Sequence, residues 1–131
     1  MTNVSHIALV ALGGAVGAAL RFLANGYTTA LFPSITFPLG TFLINVTGCA
    51  GIGLIAGLCT RNEVSETIRL FLVTGILGGF TTFSAFGLET ISLLRAGHVP
   101  HACAYIFGSV FLGCLAVFIT LLVTESKILA P

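Results

Sequence analysis

The 131-residue chain is 56% hydrophobic and only 7% charged, with a formal net charge of +1, whereas an average soluble domain carries roughly 25% charged residues. A chain of this length forms one domain, and in water it would leave large apolar patches uncovered, which excludes a soluble enzyme. The expected solvent is a lipid bilayer, and no nucleic-acid partner is expected.

In chain order, four stretches approach or exceed the roughly 20 apolar residues that a membrane-spanning helix needs. They run from about Ile7 to Tyr27, Leu39 to Cys59, Ile68 to Leu94 and Ala102 to Val123. The fold class expected is therefore an all-α membrane protein, one four-span domain over residues 1–131. Short connectors with turn or charge signals separate the spans: Phe32 to Pro38 with two prolines, Thr60 to Thr67 with Arg61, Glu63 and Glu66, and Arg95 to His101 with Gly97 and Pro100.

The first span has no Lys or Arg before Arg21 and is followed by three more spans, so it reads as a retained helix rather than a cleaved signal peptide. Gly13 and Gly17 form a G-x-x-x-G pair, as do Gly53 and Gly57 in the second span and Gly75 and Gly79 in the third. Such pairs bring two helix backbones close together in lipid. Helices packed this closely leave little room for a water-filled path within one subunit, so a pathway is easier to build where two subunits meet. Arg21 closes the apolar run of the first span. It is expected to snorkel to water, or to attract anions at a channel mouth.

The second span places Thr41 and Asn45 four residues apart, on one helix face. Tyr105 and Ser109 repeat that spacing on the fourth. All four side chains offer donors that are costly to bury unpaired, so they serve either as hydrogen bonds between helices or as the lining of a polar track.

The third span differs from the rest. Its middle reads Gly78, Gly79, Phe80, Thr81, Thr82, Phe83, Ser84, Ala85, Phe86, a Gly-Gly pair followed at once by two threonines. Glycine costs roughly 1 kcal/mol relative to alanine in a helix and threonine is also a poor helix former, so this is the weakest helical stretch among the spans. Either the helix continues and the glycines serve packing, or it breaks and frees carbonyls from one half and N–H groups from the other. Broken helices of the second kind hold ions at membrane depth. Phe83 and Phe86, three apart, face one side of the second half. Their rings are ordinary packing, or they turn positive edges toward a small anion. Glu89, a turn further on, needs a partner that the sequence does not name.

The remaining polar residues carry less. Cys49, Cys59, Cys103 and Cys114 have no C-x-x-C spacing and read as small buried hydrophobes. His6, His98 and His101 fall near span ends and read as solvated. The sequons at Asn3 and Asn45 are discounted, the second because it lies inside a span. With an even number of spans, Arg61, Arg69 and Lys127 lie on one side and Arg21 and Arg95 on the other, three against two. That balance sets no orientation, so insertion in both directions is expected to be open to this chain.

Taken together, these residues resemble the Fluc (CrcB-like) fluoride channel family. The similarity rests on Gly13-Gly14, Gly17, Ala18 and Arg21-Phe22 in the first span, and on Gly40-Thr41, Asn45 and Gly48 in the second. The most specific block is Gly78 to Phe86 with Glu89 in the third, and Tyr105 and Ser109 fit the fourth. The resemblance implies a dual-topology antiparallel homodimer in the cell (inner) membrane. It implies two fluoride pores, a third helix broken mid-membrane and a buried structural sodium ion (Na+). It gives Gly78 and Thr81 the sodium-binding carbonyls, Phe83 and Phe86 the pore phenylalanines, Asn45, Tyr105 and Ser109 the polar track, and Arg21 a vestibule position. Ala85 departs from the family's usual threonine, and Gly113 offers no hydroxyl one turn beyond Ser109. Two alternatives compete. A small dual-topology multidrug-type exporter depends on a carboxylate in its first span, and this first span has none. A structural membrane subunit would leave the Thr81 to Ser84 block without a use.

Overall fold

A computed structural model describes residues 4–60 and 63–126 of the chain. Arg61 and Lys127, two of the charges weighed for orientation, and Asn3 of the first sequon lie outside the described residues. Helix α1 runs Val4–Leu31, α2 Leu39–Thr60, α3 Glu66–Arg69, α4 Gly78–Phe80, α5 Phe83–Arg95 and α6 Val99–Ser126. Between α3 and α4 the backbone continues as a π-helix over Leu70–Leu77. Four helical rods result, each long and apolar enough to cross a bilayer: Val4–Leu31, Leu39–Thr60, Glu66–Arg95 and Val99–Glu125. Every rod covers its expected span, and the first, third and fourth extend past it at both ends.

Local chemistry sets the ends. Ser65 caps α3 by accepting the Ile68 N–H at 3.4 Å, and Arg69 pairs with Glu66 at 2.7 Å on the exposed surface. After α5, Gly97 takes φ 79°, which favours glycine, while Gly97 N–H donates to Leu94 O and His98 N–H to Leu93 O. These bonds satisfy carbonyls that the helix end would leave open, and Pro100 then sits in the first turn of α6, where its missing N–H costs nothing.

The glycine pairs sit at the tightest helix contacts. A Cβ on Gly13 would meet Phe71 O at 2.7 Å and Gly75 Cα at 2.9 Å, and one on Gly79 would come within 3.0 Å of Gly14 Cα. On the other side of the molecule, a Cβ on Gly53 would meet Val117 O at 2.7 Å, and one on Gly57 would meet the Thr124 side chain. Helix α1 therefore packs on the first half of the third span, and α2 packs along α6. The second half, α5, leans instead on α6. The third span changes partner where it breaks.

Few large side chains are enclosed. Tyr105, Thr41, Ile44 and Leu93 are buried, whereas Phe22, Phe83, Phe107 and many other apolar side chains on every rod are exposed. A surface of this kind is stable only against lipid or another apolar surface.

Candidate functional site

The third span is broken at Thr81 and Thr82. Both residues have extended backbone, with ψ 157° and 121°, between α4 and α5. Of the two arrangements the Gly-Gly-Phe-Thr-Thr run allowed, the structure takes the break.

Two side chains hold it open. The Asn45 carboxamide pairs with the backbone of Thr82 in both directions, accepting the Thr82 N–H at Oδ1 (2.9 Å) and donating from Nδ2 to Thr82 O (3.1 Å). In an unbroken helix the Thr82 N–H would bond to Gly78 O, so Asn45 takes the donor that Gly78 would otherwise have. Thr82 Oγ1 accepts the Ala85 N–H at 3.3 Å as an N-cap, and that donor would otherwise belong to Thr81 O. Gly78 and Thr81 thereby present carbonyl oxygens outside the helical ladders, the ligand type that unwound membrane helices offer to Na+. Among the described residues no three His, Cys, Asp or Glu side chains come together as a metal site. Arg21 Nη1 donates to Thr81 O at 3.5 Å.

Arg21 was expected at the end of its span. Helix α1 continues past it to Leu31, so the guanidinium stands at the height of the break rather than at a helix terminus. An arginine held at that depth marks a functional region more often than a structural one.

Beside the break lies a cleft of about 350 Å³ lined by Asn45, Cys49, Gly78, Thr81, Thr82, Phe83, Phe86 and Ser109 among others. The Ser109 hydroxyl oxygen is buried there and has no hydrogen-bond partner among the described residues. A buried hydroxyl without a partner costs free energy, so this group is placed to donate to something the protein itself does not supply. Phe83 and Phe86 stand with ring centroids 5.6 Å apart. Phe86 packs on Tyr105 at 5.0 Å, while Phe83 is 84% exposed on the open side of the cleft.

Tyr105 does not line the cleft. It is completely enclosed, and its hydroxyl donates to Glu89 Oε2 at 2.7 Å, while Thr41 Oγ1 donates to Glu89 Oε1 at 2.8 Å. Glu89 therefore has the partners that the sequence left unnamed. Thr41, Asn45 and Tyr105 all make bonds between helical segments, and of the two hydroxyl-bearing pairs only Asn45 and Ser109 reach the cleft. The spacing of four gave the shared faces but not the rotation of those faces about the helix axis.

The cysteines also differ from expectation. All four are free; Cys103 and Cys114 are exposed on α6, and Cys49 and Cys59 are half-buried. None of them is the enclosed packing residue expected, and Cys49, one turn beyond Asn45, lines the cleft. His98 and His101 are exposed at the start of α6, with rings edge to face at 5.7 Å.

Four membrane rods, a third rod broken at mid-height and a cleft of uncharged donors and phenyl rings at the break define a small multi-pass membrane protein with a broken-helix polar site. The chain belongs to the family described as CrcB-like protein, Camphor Resistance (CrcB), whose sequence profile matches residues 8–121. It is similar to the fluoride-specific ion channel FluC of Methylobacillus flagellatus, 47% identical over 115 residues, or 87% of this chain and 90% of that one. Proteins of the same name from Chloroflexus aurantiacus (49% over 116 residues; 88% and 91% of the two chains) and Novosphingobium aromaticivorans (48% over 115 residues; 87% and 91%) are similarly related. The exporter and structural-subunit alternatives find no support among these relatives.

Proposed function

We propose that the protein is a passive, fluoride-selective channel that lets fluoride leave the cell and so lowers its cytoplasmic concentration. The observation that carries this reading is the partnerless Ser109 hydroxyl in a cleft shared with Phe83 and Phe86. Fluoride is small and strongly hydrated, and a path must replace that hydration without holding the ion so tightly that it cannot leave. A hydroxyl donor and ring edges do this, whereas a lysine or arginine in the cleft would trap the anion. Family membership and relatives named as fluoride-specific channels support the same reading. The test is fluoride efflux from liposomes containing the purified protein. Fluoride is expected to flow passively, and chloride passing at a comparable rate would refute selectivity.

The working unit in this reading is an antiparallel homodimer. The cleft is open on the side where Phe83 is 84% exposed, so a single chain does not enclose a path for an ion. The Lys/Arg balance of three to two leaves both orientations open, and a two-fold axis between opposed copies closes the cleft of each. That axis would bring Gly78 and Thr81 carbonyls from both copies around one structural Na+, supplying charge where two broken helices meet. Topology is tested with a single cysteine at Thr67 in a background lacking the native cysteines. A membrane-impermeant thiol reagent should label about half of it from outside sealed cells and the rest only after permeabilisation. Labelling wholly from one side would rule the arrangement out.

A further inference from the structure

Position 113 on α6 lies one turn beyond Ser109 and is glycine, so the helix brings no donor to the next level of the cleft. Another side chain lies there. A Cβ on the buried Gly113 would come within 3.3 Å of the Cys49 sulfur, and Cys49 lines the same cleft as the partnerless Ser109 hydroxyl. On α2, Cys49 also follows Asn45 by four residues, which puts both on the face that borders the break. We propose that the Cys49 thiol is the donor that follows Ser109 on the anion path, reaching from α2 into the place that a side chain on α6 at Gly113 would fill.

This rests on the fluoride-channel reading. A thiol is a weak donor, suited to a step that the ion must leave quickly. The absence of a side chain at Gly113 gives the sulfur its room, since a Cβ contact at 3.3 Å would force it to move by a few tenths of an ångström. Cys59, Cys103 and Cys114 are not among the cleft-lining residues and are expected to be irrelevant to flux.

The experiment compares wild type, Cys49→Ser, Cys49→Ala and the double variant Cys49→Ala with Gly113→Ser, each checked by size-exclusion chromatography and assayed for liposome fluoride efflux. Cys49→Ser should keep flux near wild type, and Cys49→Ala should lower it several-fold with the oligomer intact. The double variant should recover most of the loss, because its hydroxyl enters the space the sulfur has left. Undiminished flux in Cys49→Ala, or no recovery in a well-assembled double variant, would overturn the proposal. In a second arm, the small neutral reagent methyl methanethiosulfonate is applied to protein whose only cysteine is Cys49. The deprotonated sulfur forms a disulfide with the reagent's methylthio group and methanesulfinate leaves. Block of flux in step with the mass gain is expected, and full modification without block would also overturn the proposal. Absence of fluoride flux in wild type would instead defeat the channel reading itself. Labelling of Cys49 slowed by fluoride, but not by an equal concentration of gluconate, would still support an anion site at the thiol.

Discussion

Asn45→Ala is expected to lose stability and fluoride flux together. The carboxamide accepts the Thr82 N–H at 2.9 Å, a donor that the break leaves without a helical acceptor, and also donates to Thr82 O at 3.1 Å. Hydrogen bonds between side chains of membrane helices average only about 0.6 kcal/mol, because the separated helices find other partners. The Thr82 N–H has no such alternative at membrane depth, so the larger cost of leaving a buried group unpaired applies to it, about 1–3 kcal/mol, while Thr82 O, as the N-cap carbonyl, keeps the first bond of α5. That loss is enough to lower the unfolding temperature in detergent. Asn45→Asp keeps the acceptor for the Thr82 N–H but loses the donor to Thr82 O and adds a negative charge beside the anion path. It should therefore unfold at a temperature between the other two while conducting as poorly as the alanine variant. Thermal unfolding and liposome efflux, measured on all three proteins, decide the matter. A wild-type unfolding temperature in Asn45→Ala would show that the break does not depend on this clamp.

What was legible in the sequence follows from which forces act locally. Hydropathy placed all four spans, because each rod must match the bilayer whatever its neighbours do. Small-residue spacing marked the faces by which α1, α2 and the third span make close contacts, since a glycine surface has few other uses in lipid, but not which helix each face meets. The break was left open between two outcomes because Gly78 and Gly79 serve packing and unwinding equally well. The vote is cast by Asn45, which lies on a different helix, and by the cap from Thr82.

Other features had no local signal. The π-helix over Leu70–Leu77 is a run of apolar residues with the composition of any membrane helix. Its Gly75 sits against Gly13 and Val10 O of α1, a tertiary contact that the composition of the run does not reveal. The Glu89 carboxylate has partners 48 positions upstream and 16 downstream in sequence, on two different helices. Spacing along one helix cannot reveal such a pair. The run of α1 to Leu31, past the expected end of the span at Tyr27, was hidden for a different reason: polar Thr28 and Thr29 look like the end of a membrane span. In the structure Thr28 and Thr29 donate back to Ala24 O and Asn25 O, continuing the helix with their hydroxyls satisfied. Arg21 thereby moves from a helix end to the level of the break.

The phenylalanines should show the opposite pattern to Asn45, losing flux while the protein stays folded. Phe83 is 84% exposed in the single chain, so exchanging it for isoleucine removes little internal packing. Phe86 is half-buried against Tyr105 at 5.0 Å, and there the same exchange is expected to cost roughly 1–3 kcal/mol. In both cases an apolar side chain of fair size remains, and the positive ring edge is lost. If the rings serve only as packing, loss of folded protein in detergent should track any loss of flux, and it should be larger for Phe86 than for Phe83. If they border the ion, both variants should fall steeply in fluoride efflux, and Phe83→Ile should do so with an elution profile unchanged from wild type. That asymmetry makes Phe83 the sharper test, because its burial in one chain is too slight for a folding defect to imitate a permeation defect. Normal efflux from well-folded Phe83→Ile and Phe86→Ile proteins would remove both rings from the proposed path.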